Sequence, residues 1–170
     1  IGALSHTRAL TKVSARVWDK APIAYWDRYL DDTEPHLFSV DVADGSLIAI
    51  SRLSGFHLSK SEYSASSYDI SPDGLEIAFA ANTDKSGVAP NYDLITLEAC
   101  GCKPAVNITE GNSADDSAPS YSPDGRWLAY SAQSIKGFYA DRSKLMLRSR
   151  SDSTVQDLSG LWDRSVGTLI

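Results

Sequence analysis

An internal repeat of the tetrapeptide Ser-Pro-Asp-Gly constrains this chain more than any other feature. It occurs at residues 71–74 and 122–125, a shift of 51 residues. Each copy precedes a tract that alternates apolar with polar or small residues, at 75–80 and 126–131, which is typical of a strand. Because Pro presets φ and Gly accepts positive φ, the tetrapeptide predicts a tight turn inside a β-hairpin.

A second predicted hairpin follows each copy, and a similar hairpin precedes the first copy. The strands of these hairpins are predicted at residues 36–42 and 47–51, 93–97 and 105–109, and 144–148 and 154–159. Four short antiparallel strands in about 40 to 50 residues match the size of a β-propeller blade. We therefore predict an all-β fold, a partial β-propeller of about three four-stranded antiparallel blades.

The repeat also predicts how the chain is organised. Residues 1–35 are predicted to form a helical or irregular connector, with a weak helical pattern over residues 4–17. Residues 36–170 form the predicted partial propeller, with a half blade at 36–51, blades at about 66–109 and 117–159, and the start of a next blade at 163–170. A blade buries its faces only against neighbours, so dimerisation through the open blade edges is also expected.

The two chain ends suggest a piece of a longer protein. The chain begins with Ile and shows no signal peptide. The segment 163–170 ends on apolar, β-prone residues, which favours a chain that stops within a domain over a terminal edge strand.

Composition narrows the classes of partner. Lys and Arg number 16 against 22 Asp and Glu, giving a net charge of −6, whereas a nucleic-acid footprint is basic. No apolar run approaches the roughly 20 residues that span a bilayer. We therefore expect no nucleic-acid partner and no membrane span, and a hydrophobic content of 42% supports a packed core.

Several segments resemble one enzyme family. The residues that carry the resemblance are 26–31, 36–40, 68–74, 119–126, 139–147 and 162–167. Together they resemble the propeller of bacterial dipeptidyl aminopeptidases and acylaminoacyl peptidases, in the prolyl oligopeptidase family of serine peptidases, over residues 13–170. The Ser-Pro-Asp-Gly repeats alone are shared with TolB-like propellers. This chain departs from the family at Ala24-Tyr25, where a basic pair is usual, and at residues 100–102, where a Gly-rich turn is expected.

The resemblance implies a non-catalytic function for these residues. In that family the propeller caps a C-terminal α/β-hydrolase domain and admits peptides but not folded proteins. The implied partner is thus a peptide substrate of a catalytic domain outside this chain, in either the periplasm or the cytoplasm. Two alternatives stay open: a TolB-like interaction propeller with no enzyme activity, and a small β protein that assembles through its edge strands.

The residues themselves present no catalytic site. No Gly-x-Ser-x-Gly nucleophile motif occurs in the sequence, and the three histidines, His6, His36 and His57, are scattered. The acidic pairs Asp31-Asp32 and Asp115-Asp116 could bind Ca²⁺ or an ammonium group, but solvated loops or local backbone caps are favoured. We predict no catalytic, no cofactor-binding and no metal-binding residue.

The remaining candidates have structural interpretations. Cys100 and Cys102 are expected to be free thiols at a hairpin tip, because a Cys-x-Cys disulfide closes a very small ring and no further Cys or nearby His completes a zinc site. An oxidising compartment could still join them in a disulfide. The glycosylation sequon at Asn107 is expected to be a chance match. Asp141 and Arg142 are expected to form an ion pair or to fix the loop before the strand at 144–148. Aromatic residues at repeat-equivalent positions are expected in the core between blades; they are Phe79, Tyr121, Trp127 and Tyr130.

Overall fold

The computed structural model describes residues 24–30, 33–61, 63–84 and 91–167. The helical pattern predicted over residues 4–17, the pair Asp31-Asp32, His6 and the final three residues lie outside the described residues. No helix in the described part is long and apolar enough to cross a membrane.

The described chain is almost entirely β-structure, which confirms the predicted fold class. The strands are β1 Ala24–Tyr25, β2 Arg28–Tyr29, β3 Phe38–Val40, β4 Leu47–Ala49, β5 Tyr68–Ile70, β6 Glu76–Asn82, β7 Tyr92–Glu98, β8 Val106–Asn107, β9 Asp116–Tyr121, β10 Trp127–Ala132, β11 Lys144–Ser149 and β12 Val155–Asp157. One helix, α1 Ile50–Ser54, follows β4, and a 3₁₀ turn, Ala65–Ser67, precedes β5.

The strands form two complete blades and two smaller sheets. The first blade has the order β5-β6-β7-β8 and the second the order β9-β10-β11-β12, each with all neighbours antiparallel. The strands β3 and β4 pair as a half blade, and β1 pairs with β2 as a separate hairpin in the connector.

Both Ser-Pro-Asp-Gly copies form the predicted turn, with the same hydrogen bonds. The amide of Gly74 donates to the carbonyl of Ser71 at 2.8 Å, and Gly125 repeats this with Ser122 at 2.8 Å. The glycines have φ values of +71° and +69°, a region that costs other residues strain. Each turn therefore joins the first strand of its blade, the edge strand β5 or β9, to the next strand.

The first blade is buried on both faces, because its central strands alternate sides. Ile77 and Phe79 of β6 pack with Ile50 of α1 on one face, while Ala78 packs with Tyr121 and Leu128 of the second blade on the other. Neighbouring side chains of a strand point to opposite faces. The first blade is thus packed between α1 and the second blade.

A polar cluster, which we term the inter-blade joint, links the two blades through Asp69, Glu76, Tyr121 and Arg150. The amide of Tyr121 donates to Oδ2 of Asp69 at 2.7 Å, and its hydroxyl donates to Oε1 of Glu76 at 2.8 Å. Nε of Arg150 donates to the same Glu76 oxygen at 3.2 Å, and the guanidinium lies 5.1 Å from the centre of the Tyr121 ring. Burial, and then the Glu76 hydrogen bond, raise the pKa of Tyr121, so the phenol remains a hydrogen-bond donor.

The half blade differs from the predicted strand over residues 47–51. Strand β4 ends at Ala49, and α1 follows at once. The amide of Ile50 still donates to the opposite carbonyl of Leu37 at 2.9 Å, as in a longer ladder. The amide of Leu37, however, donates to the hydroxyl of Ser51 at 2.9 Å, which replaces the next ladder bond, and Gly55, with φ of +74°, ends the helix.

Alanine substitution at the turn glycines tests the turn conformation. Gly74→Ala should lower the free energy of unfolding by about 1–2 kcal/mol through backbone strain alone, since its added Cβ would have no neighbour within 4 Å. Gly125→Ala should cost a similar amount, because its Cβ would lie 3.4 Å from Nη1 of Arg150, which is an ordinary van der Waals contact.

Urea unfolding of each variant measures these costs. Gly111→Ala is the matched control, because Gly111 lacks a positive φ and its added Cβ would also meet no atom within 4 Å. Equal losses for Gly111→Ala and Gly74→Ala would show that the turn conformation is not the source of the effect.

Candidate functional site

A polar groove lies beside the half blade, on the connector side of the structure. Its volume is about 320 Å³, at the lower end for a small-ligand pocket. The lining residues are Tyr29, Leu30, Thr33, Glu34, Pro35, Lys60 and Tyr63. The groove is therefore built from the β1–β2 hairpin, the segment that follows it, and the segment after α1.

Two basic side chains, His57 and Lys60, lie near the carboxylate of Glu34. Its Oε2 lies 3.1 Å from Nδ1 of His57, and its Oε1 lies 3.5 Å from Nζ of Lys60. The backbone of His57 is held against the end of β6, because its carbonyl accepts the amide of Asn82 at 3.1 Å. All three side chains are more than one-third exposed, so these ion pairs add little to stability. They give the groove a polar surface that can contact a small polar ligand.

One histidine outside the groove lies close to a serine, at the start of the half blade. Nδ1 of His36 lies 3.2 Å from Oγ of Ser51. A nucleophilic serine must reach its substrate, but Ser51 is fully buried and its hydroxyl already accepts the amide of Leu37. This Ser–His contact therefore fixes the half blade. The ring centres of His57 and His36 lie 6.5 Å apart, and the two rings have different polar contacts, His57 with Glu34 and His36 with Ser51.

The structure places Asp115 and Asp116 in different environments. Oδ1 of Asp115 accepts the amide of Tyr92 in the first blade at 3.0 Å, across a separation of 23 residues, so it is not the local backbone cap that the sequence predicts. Asp116 is almost completely buried, and its Oδ1 accepts Nδ2 of Asn112 at 3.0 Å. The other oxygen, Oδ2, has no hydrogen-bonding partner among the described residues.

The pKa of Asp116 is raised to about 7, chiefly by burial and in smaller part by the negative charges of Asp93 and Asp115, while the hydrogen bond from Asn112 opposes the rise. An uncharged carboxyl avoids the cost of burying an unpaired charge. This titrating group could not be recognised from the sequence, because an Asp-Asp pair in a polar segment gives no sign of burial.

The sequon asparagine belongs to a second buried polar cluster, centred on Asp93. Nδ2 of Asn107 donates to Oδ2 of Asp93 at 2.7 Å, and Oγ1 of Thr83 donates to the same oxygen at 2.8 Å. Asn91 Nδ2 donates to the other oxygen at 2.9 Å. A glycan attached to Nδ2 of Asn107 would displace a buried hydrogen bond, which supports the chance-match interpretation.

The loop residues Asp141 and Arg142 bind backbone groups. Asp141 accepts the amides of Ser134 and Ile135 at 2.6 and 2.9 Å, and these bonds hold its pKa below the usual range. Nη1 of Arg142 donates to the carbonyls of Ser159 and Trp162. Of the two expected roles, the structure thus supports loop fixation.

Three of the four repeat-equivalent aromatic residues are core residues. Phe79, Tyr121 and Tyr130 are buried. Phe79 packs on the α1 side of the first blade, and Tyr121 on the side of the second blade. Trp127 is only partly buried and belongs to none of the core clusters of the described residues.

The expected free thiols are contradicted, because Cys100 and Cys102 form a disulfide at the tip of the β7–β8 hairpin. Gly101 has a φ of +65°, and this turn brings the two Cα atoms to 5.3 Å, within the range of ordinary disulfides. Oε2 of Glu98 lies 3.7 Å from Sγ of Cys100. Glu98 was not among the predicted site residues, although its spacing of two residues from Cys100 is visible in the sequence.

Comparison with known proteins shows that the chain is homologous to one segment of several dipeptidyl peptidases. It is 29% identical to the probable dipeptidyl-peptidase 5 of Aspergillus flavus over 92% of this chain and 25% of that protein. It is 30% identical to the dipeptidyl-peptidase 5 of Aspergillus fumigatus over 89% of this chain and 24% of that protein. For the dipeptidyl-peptidase 5 of Porphyromonas endodontalis the identity is 29%, over 81% and 21%.

The chain thus spans about a quarter of the length of these relatives. No protein-family model matches it. Among solved structures, it is similar to a putative TolB from Agrobacterium tumefaciens at 17% identity and a TM-score of 0.32, over 76% of this chain and 64% of that one.

The buried Asp116 predicts an unusual pH dependence. Its folded pKa of about 7 exceeds the value of about 3.9 for an unfolded Asp, so the folded state binds an extra proton between these values. This carboxyl therefore lowers the free energy of unfolding progressively as pH rises from about 4 to 7. Asp116→Asn, which keeps an acceptor for Asn112, should be more stable than wild type at pH 8, on the order of 4 kcal/mol.

Urea unfolding between pH 4 and 8 gives the free energy of unfolding of wild type and of Asp116→Asn. The difference between the two isolates this effect, because the titration of the other carboxylates contributes equally to both proteins. Asp163→Asn is the control, because its side chain is 95% exposed. A difference between wild type and Asp116→Asn that stays constant across this range would contradict the raised pKa.

Proposed function

We propose that this chain is a non-catalytic propeller segment of a longer serine exopeptidase, and that it controls the access of peptides to an α/β-hydrolase domain of the same protein. The observation that carries the proposal is its 29% and 30% identity to dipeptidyl peptidases over about nine-tenths of the chain. The activity named for those relatives belongs to whole proteins, of which this chain matches only about a quarter.

The residues of this chain support a non-catalytic role. The sequence contains no Gly-x-Ser-x-Gly motif, and the Ser51–His36 contact is buried and engaged with backbone. The described residues that line the groove include no serine and no second carboxylate beside Glu34. Hydrolysis by an acyl-enzyme route needs an activated nucleophile and a base, so residues outside this chain would supply them.

The surfaces of the blades support a place in a larger ring. The half blade leaves Phe38, Val40 and Leu47 between 55 and 64% exposed, and the second blade leaves Val155 and Leu158 exposed. Blades normally bury such faces against neighbours. Further blades of the parent protein would cover these surfaces, and in the isolated chain the same edges are where two copies would associate.

The experiment that tests the proposal compares this chain with its full-length parent on a dipeptidyl chromogenic substrate. We expect no hydrolysis by the chain alone, and hydrolysis by the parent that a serine-directed covalent inhibitor abolishes. Hydrolysis by the isolated chain, or a parent that is inactive on every dipeptidyl substrate, would contradict the proposal and favour an interaction propeller.

The controlling role has a test of its own, through the inter-blade joint. In the parent, Arg150→Ala removes the donor to Glu76 and to the Gly125 carbonyl, which should loosen the packing of the two blades. We expect cleavage of long peptides to increase several-fold relative to dipeptidyl substrates. Arg164→Ala, at a side chain that is 90% exposed, should leave this ratio unchanged, and an unchanged ratio in Arg150→Ala would contradict the role.

A further inference from the structure

The tip of the β7–β8 hairpin brings three potential metal ligands together. Glu98 is the last residue of β7, and Cys100 and Cys102 follow it at intervals of two residues. One carboxylate oxygen and the two Sγ atoms all lie within 4.8 Å of one another. The backbone fixes this arrangement, because the amide of Gly101 donates to the carbonyl of Glu98 at 2.8 Å and the positive φ of Gly101 reverses the chain.

The two oxygens of Glu98 have separate contacts. Oε1 accepts a hydrogen bond from Nζ of Lys103, while Oε2 faces Sγ of Cys100 at 3.7 Å. The hydrogen bond to Glu98 raises the pKa of Lys103, so the ammonium group stays charged beside the carboxylate. Lys103 thus orients Glu98 through one oxygen and leaves the other directed at the cysteines.

We propose that, once the disulfide is reduced, this hairpin tip binds a thiophilic divalent cation of the zinc class through the Cys100 and Cys102 thiolates and the Glu98 carboxylate. Two sulfur ligands and one oxygen ligand leave a fourth tetrahedral position for water or an external group. Carboxylate and thiolate are both established zinc ligands, and their combination prefers this class over Ca²⁺ or Mg²⁺.

The redox state controls the site, because the disulfide occupies both sulfur atoms. Two molecules of a thiol reductant are oxidised to their own disulfide and supply two electrons and two protons. The bond between Cys100 and Cys102 is thereby cleaved, and each cysteine becomes a free thiol. Binding of the cation then releases the two thiol protons. Both cysteines are exposed at the tip, so reductant and cation can reach them.

The test titrates Cd²⁺, a spectroscopic substitute for Zn²⁺, into the full chain before and after reduction and removal of the reductant. The reduced chain should gain a Cd–thiolate charge-transfer absorbance that saturates at one equivalent and disappears when Zn²⁺ displaces it. The oxidised chain should show no such absorbance. A reduced chain without this signal would overturn the proposal.

Two variants separate the proposed site from other binding. The double variant Cys100→Ser/Cys102→Ser keeps all three histidines and should lose the absorbance, and Zn²⁺ affinity should fall to the background level. Glu98→Gln should weaken Zn²⁺ binding about tenfold or more. Substitution of residues that only hydrogen-bond to metal ligands already lowers metal affinity about ten- to a hundredfold, and Glu98 is itself a proposed ligand. Glu110→Gln removes the same charge at an exposed residue of the loop after β8 and should bind as wild type.

Each variant has an outcome that would contradict the site. Unchanged Zn²⁺ affinity in Glu98→Gln would show that the carboxylate is not a ligand. Unchanged affinity in the double cysteine variant would place the cation elsewhere, on the histidines. Thermal unfolding of all variants without metal checks that each keeps its fold, since the substitutions lie at an exposed hairpin tip.

Discussion

The burial of Tyr121 between the two blades is the constraint on which the rest of the structure depends. Its ring, amide and hydroxyl all leave water, and an unpaired buried polar group costs about 1–3 kcal/mol. Asp69 and Glu76 of the first blade accept both donors, and Arg150 of the second blade covers the ring and shares the Glu76 oxygen. The blades must therefore meet in one register, which also fixes the turn at Gly125 through the Arg150 side chain.

Much of this fold could be predicted from sequence because its determinants are local. The Ser-Pro-Asp-Gly turns form as expected, since Pro, Asp and Gly each satisfy a requirement of the turn itself. The alternation over β6 predicted the burial of Ile77 and Phe79, but Ala78 on the opposite face is fully buried as well, because the second blade covers that face. The resemblance to dipeptidyl peptidases was likewise confirmed, because it rests on several separate segments.

Features that depend on distant contacts could not be predicted. Tyr121 is 52 residues from Asp69, and no local pattern pairs them. The end of the β3–β4 ladder depends on the Ser51 hydroxyl, which accepts the amide of Leu37, and the raised pKa of Asp116 depends on burial by neighbouring elements. Ring size alone disfavours the disulfide between Cys100 and Cys102, and the positive φ of Gly101, which brings the two Cα atoms to 5.3 Å, is not visible in the sequence.

The central claim is that the two blades are held face to face by the inter-blade joint, as adjacent blades of a propeller. A double-mutant cycle between Glu76→Gln in the first blade and Arg150→Ala in the second measures it by urea unfolding, since the amide oxygen introduced by Glu76→Gln would still accept the Tyr121 hydroxyl. We predict a coupling free energy of about 0.5 kcal/mol or more, and near zero for the exposed pair Asp163 and Arg164. A coupling of zero between Glu76 and Arg150 would contradict the account.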